Sequence, residues 1–351
     1  MEQEMQYSVK HDIKSLNQKE LENLFVSLGE KPFRARQVYH WMHVSHAATF
    51  DEMSNISKSL KEKLKECFEL TVLRQKLVQR SKLDGTAKYL FELADGNMIE
   101  SVRMKYKHGN SVCISSQAGC RMGCRFCAST LDGLARNLTP AEMLDQIYRI
   151  QEDIGERVSH VVVMGTGEPL DNYDNLLKFL ELLSDENGLN VSQRNITVST
   201  CGIVPNMRKL AGEKLQITLA ISLHASSQEK REELMPVARK YGIDELMKAC
   251  EDYFVQTGRR ITFEYSLVGG VNDQPQDARQ LARLIQGLNC HVNLIPVNPI
   301  KERAYVQPDG QSVLNFKQML EKHGITVTVR REMGRDIDGA CGQLRRRQMN
   351  E

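Results

Sequence analysis

The chain has 351 residues, 41% of them hydrophobic and 26% charged, with a formal net charge of +2. That composition fits an ordinary globular protein with room for two or so domains, and the near-neutral charge neither supports nor excludes a nucleic-acid partner. No run of eighteen apolar residues occurs and MEQEMQYSVKHDIK lacks an apolar signal-peptide core, so the expectation is a cytoplasmic protein with no membrane span.

Residues 17–28, NQKELENLFVSL, read as an amphipathic helix, with Asn17 as N-cap, Leu21, Leu24, Phe25 and Leu28 on one face, and Gly29 as the stop. A second helix starts near Pro32 and runs through FRARQVYHWM, with Val38, Trp41 and Met42 inward and His40 and Trp41 as packing residues. A third, SKSLKEKLKECF, closes a small helical unit near residue 70, with Cys67 as a buried thiol at its end. Residues 58–82 carry eight basic side chains (Lys58, Lys61, Lys63, Lys65, Arg74, Lys76, Arg80, Lys82) against Glu62, Glu66 and Glu69. Such a patch suits a phosphate backbone or a solvated helix face equally well.

From about 71 to 112 the apolar period switches to two: VLRQKLVQR, AKYLFEL and MIESVRMKY are separated by Asp84-Gly85 and Asp95-Gly96, the pattern of a β-meander. Glu100 reads from this pattern as a carboxylate on a strand's solvent face. Beyond 113, six strand-like runs (VCISSQ, SHVVVMG, NITVST, ITLAISLH, ITFEYSLV, HVNLIPV) alternate with helical stretches, and ITVTVR offers a final strand. Alternation of this kind implies a parallel sheet covered by helices, with too few units to close an eight-stranded barrel.

Nine cysteines, an odd number in a chain without a secretory segment, favour thiols and metal ligation over a disulfide framework. Cys120, Cys124 and Cys127 form C-x3-C-x2-C, one thiolate short of the four that usually hold a [4Fe–4S] cluster, which leaves one iron open. A structural zinc completed by Cys113 or a distant His is the plainer alternative, although the second C-x2-C arm usual for zinc is missing. Ligands of parallel β/α sheets sit at the carboxyl ends of strands. Cys120–Cys127 follow the first strand, Gly167 and Glu168 the second; Ser199 ends the third, Ser222, Leu223 and His224 end the fourth, and Asn298 follows the sixth. One shared rim is therefore expected. Cys201, Cys250 and Cys290 read as small buried hydrophobes.

The segment CRMGCRFCASTLDGLARNLTPAEM resembles the radical S-adenosylmethionine (radical SAM) signature in the form used by the RlmN/Cfr family of RNA adenosine methyltransferases. The resemblance continues through VVVMGTGEPLDN, ITVSTCGIVP, AISLHA, GGVND, HVNLIPVNP and DIDGACGQL, about residues 85–345. It implies an α/β fold: a partial (β/α)6 radical SAM barrel over 113–351, an N-terminal RNA-binding helical domain over 1–70, and a β-meander extension over 71–112. It implies a [4Fe–4S] cluster on Cys120, Cys124 and Cys127, with S-adenosylmethionine held by Gly167, Glu168, Ser199, Ser222, Leu223, His224 and Asn298.

By the same resemblance, Cys341 accepts a methyl group from one S-adenosylmethionine and a second is consumed to activate it. Glu100 takes the proton from the attacked carbon, and Cys113 forms a disulfide with Cys341 that releases the product. The substrates implied are adenosine 2503 of 23S ribosomal RNA and adenosine 37 of certain transfer RNAs, both at carbon 2. A flavodoxin or ferredoxin is the implied electron donor, and a monomer the expected state. Methylation at carbon 8 by the Cfr branch would use every one of these residues, and carbon 2 rests on overall similarity. A non-catalytic metal-containing RNA-binding protein would leave Glu100, Cys113 and Cys341 unexplained.

Overall fold

In the computed structural model, which describes residues 11–299, 302–337 and 343–349, Asn17 caps α1 (Gln18–Ser27). Its side chain accepts from the Glu20 amide, and the Glu20 carboxylate accepts from the Asn17 amide. In α2 (Pro32–His43), Pro32 occupies the first turn and Val38, Tyr39, Met42 and His43 face inward. His40 is exposed, contrary to expectation, because the buried stripe at 35, 38, 39 and 42 leaves position 40 on the far side. Trp41 is half-buried, and its indole N–H donates to Asn55 Oδ1 at 2.7 Å. In α3 (Lys58–Cys67), Leu60 and Leu64 are buried. Cys67 is exposed rather than buried: the helix ends there, the chain turns extended, and Phe68 takes the place against the core.

Five of the eight basic residues between 58 and 82 are ion-paired, Lys63, Lys65, Arg74, Lys76 and Arg80, so much of that patch is neutralised locally. The helical unit is fastened to the rest of the chain by buried polar contacts. Lys14 Nζ meets Asp145 Oδ1 at 2.8 Å with both side chains fully buried, and Asp145 Oδ2 accepts from the Leu73 amide at 2.7 Å. Desolvating such a pair is costly, so the extra hydrogen bonds matter to it.

Beside this pair, His43 Nδ1 lies 2.7 Å from the Tyr148 hydroxyl and His46 stacks on the Tyr148 ring. Burial first, then the Lys14 charge, lowers the His43 pKa to about 3; burial, then Arg149, lowers that of His46 to about 4. Both stay neutral in the folded chain but protonate near 6.5 when unfolded. Their contribution to stability is thus complete above that value and is lost as pH falls toward about 4 and then about 3. A falling thermal midpoint between pH 7 and pH 5 is expected, on the order of 1–2 kcal/mol per histidine. Loss of about half of that slope in His43→Gln, with the His46 share remaining, would check the assignment.

The period-two runs form β1 (Arg74–Arg80), β2 (Ala87–Glu92) and β3 (Met98–Tyr106), antiparallel and continuous with β4 (Gly109–Ile114). From β4 the pairing turns parallel through β5 (Val158–Val163), β6 (Ile196–Thr200), β7 (Thr218–Ser222), β8 (Ile261–Leu267), β9 (Cys290–Pro296) and β10 (Thr326–Val329). All ten strands make one sheet in chain order, with β1 and β10 at its two edges. The parallel part is an open, partial barrel. Helices α4 (Pro140–Ile154), α5 (Tyr173–Ser184), α6 (Val204–Gly212), α7 (Gln228–Leu234), α8 (Ile243–Thr257), α9 (Pro275–Leu284) and α10 (Gly310–Lys322) connect its strands. Val161, Val198, Leu219, Phe263 and Val292 bury the apolar faces, as β-branched runs covered by helices require. A last helix, α11 (Gln343–Met349), reaches back to β3. No described helix is long and apolar enough to cross a membrane.

Candidate active site

The three cysteines of C-x3-C-x2-C ride on a loop held at both ends by a short antiparallel ladder that the sequence did not suggest, Gln117–Gly119 against Leu134–Asn137. A Cβ on Gly119 (φ +81°) would sit 2.1 Å from the Gly133 carbonyl oxygen, so only glycine lets the ladder close there. The Cys120 amide donates to the Gly133 carbonyl at 2.8 Å, and Thr130 Oγ1 donates to the Cys124 and Cys127 carbonyls at 3.1 and 3.0 Å. These bonds leave the thiols themselves turned toward a cavity of ≈ 830 Å³ at the carboxyl ends of the parallel strands.

That cavity gathers ten of the thirteen sequence-predicted residues: Cys113, Cys120, Cys124, Cys127, Gly167, Glu168, Ser199, Ser222, His224 and Asn298. Glu168 is buried, accepts from the Cys201 amide at 2.7 Å and the Leu170 amide at 3.0 Å, and has its pKa raised by burial. Ser199 and Ser222 hydroxyls lie 3.3 Å apart on neighbouring strands. His224 adopts φ +54°, uncommon outside glycine, and is pinned there: its Nδ1 accepts from the Ser266 amide at 2.9 Å, and Asn272 of GGVND donates to its carbonyl at 2.7 Å. Its ring is neutral, the pKa lowered to about 3 by burial and then by Arg231. Leu223 is fully buried in the apolar core rather than on the cavity wall.

Glu100 is also buried, which overturns the solvent-face reading of the strand pattern: Lys88 Nζ stands 3.1 Å from its Oε2 and the Arg345 amide of α11 donates to Oε1 at 2.6 Å. It shares a face of β3 with Val102 and Met104, which line the cavity, and Val102 pairs directly with Cys113. Cys341 lies outside the described residues. Ile337, on the cavity wall, and α11 flank it in the chain.

Residues 11–70 match the ribosomal RNA large subunit methyltransferase N-terminal domain, and residues 114–283 match the radical SAM superfamily. A protein from Lachnospira eligens described as a probable dual-specificity RNA methyltransferase RlmN is 66% identical over 340 residues, 97% of each chain. The chain belongs to the RlmN family. An RlmN of the same description from Lachnoclostridium phytofermentans is 59% identical over 96% of this chain and 95% of its own. The crystal structure of a radical SAM methyltransferase from Sphaerobacter thermophilus superposes with a TM-score of 0.91 at 42% identity, covering 95% of this chain and 98% of that one. This RlmN-family chain is a radical SAM RNA methyltransferase, and its superfamily implies an iron–sulfur cluster and S-adenosylmethionine.

The residues present fit that cluster. Burial raises the Cys120 pKa to about 12 and that of Cys124 well above the ordinary thiol range, with neighbouring Cys127 adding to both. Thiols held up in this way become thiolates only when a cationic centre takes the place of their protons. Among the described residues, no three His, Cys, Asp or Glu side chains are gathered about a single metal ion.

The cavity wall also holds residues that the pattern reading missed. Cys201, read as a small buried hydrophobe, is buried and lies on this wall, its backbone holding Glu168. Glu264 lies on the wall in register with Ser222, accepts from Asn293 Nδ2 at 2.8 Å, and is raised in pKa by burial. A lone carboxylate within the apolar ITFEYSL strand was the available signal.

Gly167 carries a clear expectation. Its φ is +113°, and a Cβ would lie 2.7 Å from the Gln117 amide nitrogen and from Ser116 Oγ. Gly167→Ala should cost roughly 1–3 kcal/mol from backbone conformation alone. It should also displace the adjoining Glu168, which the resemblance assigns to S-adenosylmethionine, and on that assignment weaken binding by tenfold or more, about 1.4 kcal/mol. A thermal melt reads the first effect and calorimetric titration of the reconstituted variant reads the second.

Proposed function

We propose that this chain methylates carbon 2 of adenosine 2503 in 23S ribosomal RNA and carbon 2 of adenosine 37 in transfer RNAs. The observation that carries the reading is 66% identity over 97% of both chains to a protein described as a dual-specificity RlmN. Cys120, Cys124 and Cys127 hold the [4Fe–4S] cluster. Gly167 and Glu168 take the amino end of S-adenosylmethionine, and Ser199, Ser222, His224, Asn298 and the Leu223 backbone take the remainder. When bound, cluster and S-adenosylmethionine would together supply a 5′-deoxyadenosyl radical.

Carbon 2 of adenine is electrophilic, so a methyl cation cannot be delivered to it directly. The chain answers this with a thiol. Cys341 attacks the methyl group of one S-adenosylmethionine, its sulfur supplying the electron pair and S-adenosylhomocysteine leaving. That methyl group would give up one hydrogen atom to the 5′-deoxyadenosyl radical, which leaves as 5′-deoxyadenosine; the remaining methylene carbon would bond to the adenine, joining protein and RNA, and the adduct would return one electron to the cluster. Glu100, with its carboxylate oriented by Lys88 and the Arg345 amide, takes the proton from the attacked carbon. Cys113, on the cavity wall in register with Val102, then forms a disulfide with Cys341 as the bond from the Cys341 sulfur to the methylene carbon breaks, and that carbon takes up a proton to leave the methylated base.

The wall near Ile337 carries Arg330, Arg331 and Arg335, charges suited to RNA phosphates. The helical unit is the second RNA contact in this reading, within a division into 1–70, 71–112 and 113–351. The chain acts in the cytoplasm as a monomer, with one cluster per chain, two S-adenosylmethionines per methylation, and a flavodoxin or ferredoxin as reductant.

Trideuteriomethyl S-adenosylmethionine tests this route. The methyl carbon gives up one hydrogen on Cys341, so product nucleoside should retain two deuterium atoms. Retention of three would overturn the route.

A further inference from the structure

Arg231, in the middle of α7, is fully buried, and a guanidinium stays charged wherever it is placed. Among the described residues no carboxylate pairs with it, and its Nε–H has no hydrogen-bond partner. Its hydrogen bonds go to two neutral carbonyls, from Nη2 to Cys201 at 2.7 Å and from Nη1 to Tyr241 at 3.4 Å. An uncompensated charge in a dry interior is strongly unfavourable, so an anion belongs beside it in the working protein.

The cysteine loop is packed against this helix. The Arg125 amide donates to the Leu234 carbonyl at 2.9 Å, and Cys124 packs with Cys201, Leu234 and Met235 in one cluster. The field of the guanidinium reaches Cys124 and His224, opposing the rise that burial imposes on the thiol. On the other side of Cys201, the Glu168 carboxylate is occupied by the Cys201 and Leu170 amides.

We propose that Arg231 is the countercharge of the iron–sulfur cluster and raises its reduction potential. This rests on the reading that Cys120, Cys124 and Cys127 hold that cluster. Three thiolates make the assembly anionic, and reduction by the external donor adds one electron and one further negative charge, with no bond made or broken. A fixed cation beside it favours the reduced form. Net charge and hydrogen bonding near the sulfurs are established determinants of cluster potential. Arg231 is thus a positioning and electrostatic residue, not one that touches RNA.

The test is a redox titration followed by electron paramagnetic resonance, on the full chain reconstituted anaerobically, as wild type, Arg231→Met and Arg231→Lys. Iron and sulfide are assayed in each. At the wild-type midpoint, the ratio of reduced to oxidised cluster in Arg231→Met should fall at least tenfold, 59 mV for one electron. Arg231→Lys, which keeps the charge but loses the planar two-carbonyl grip, should stay close to wild type. Should Arg231→Met fail to fold, Arg231→Gln carries the same expectation. Unmoved potentials at full iron content, or equal shifts in the lysine and neutral variants, would overturn the proposal. A wild-type chain that takes up no iron and sulfide would instead overturn the cluster assignment beneath it.

Discussion

Cys124→Ala is expected to fold normally and to lose its cluster, with iron and sulfide after anaerobic reconstitution falling to a small fraction of wild type. The Cys124 side chain is half-buried and the loop is held by the Cys120 amide and the Thr130 hydroxyl, so removing one sulfur should cost no more than about 1 kcal/mol of stability. The metal side is different in kind. A three-thiolate site already lacks the usual fourth ligand, and a second missing thiolate leaves two irons without protein donors. Cleavage of S-adenosylmethionine and RNA methylation should both vanish. Iron assay, visible absorption and a thermal melt separate the two effects, and a variant that keeps its iron would sink the ligand assignment.

The second large effect is chemical rather than structural. Cys341→Ala should keep full iron content, yet methylate RNA more than about a thousandfold more slowly than wild type, as when a covalent nucleophile is removed. Its contrast is Cys113→Ala, in which the methyl carrier still reaches the base but nothing resolves the bond, so protein joined to RNA should accumulate as a slow band on a denaturing gel. Equal, complete loss in both variants without any such band would argue against a covalent intermediate. Methylation surviving in Cys341→Ala would remove the thiol from the route altogether.

Local features of this chain were readable from its residues because their causes are local. Asn17 and Pro32 mark helix starts through hydrogen bonds within one turn, and the three-cysteine spacing needs only one loop to bring its thiols to a common cavity. The alternation of strands and helices carried the sheet order for the same reason, since each crossover returns the chain to the next position.

What escaped depends on partners far away in sequence. Glu100 looked solvent-facing by alternation, but α11, some 245 positions later, covers it. Cys201 matters through Glu168, and nothing within the charged run QEKREEL marks Arg231 as buried; the cysteine loop packed against α7 does. Cys67 failed for a local reason: it is the last residue of α3, where the chain turns extended and Phe68 takes the place against the core.

Mass spectrometry of nucleosides from 23S ribosomal RNA and from transfer RNA decides the carbon-2 assignment, after each has been incubated with the anaerobically reconstituted chain, S-adenosylmethionine and a reductant. Carbon-2 methylation of both substrates gives 2-methyladenosine in each. Formation of 8-methyladenosine, or of no methylated adenosine by a chain carrying its full complement of iron and sulfide, would contradict it.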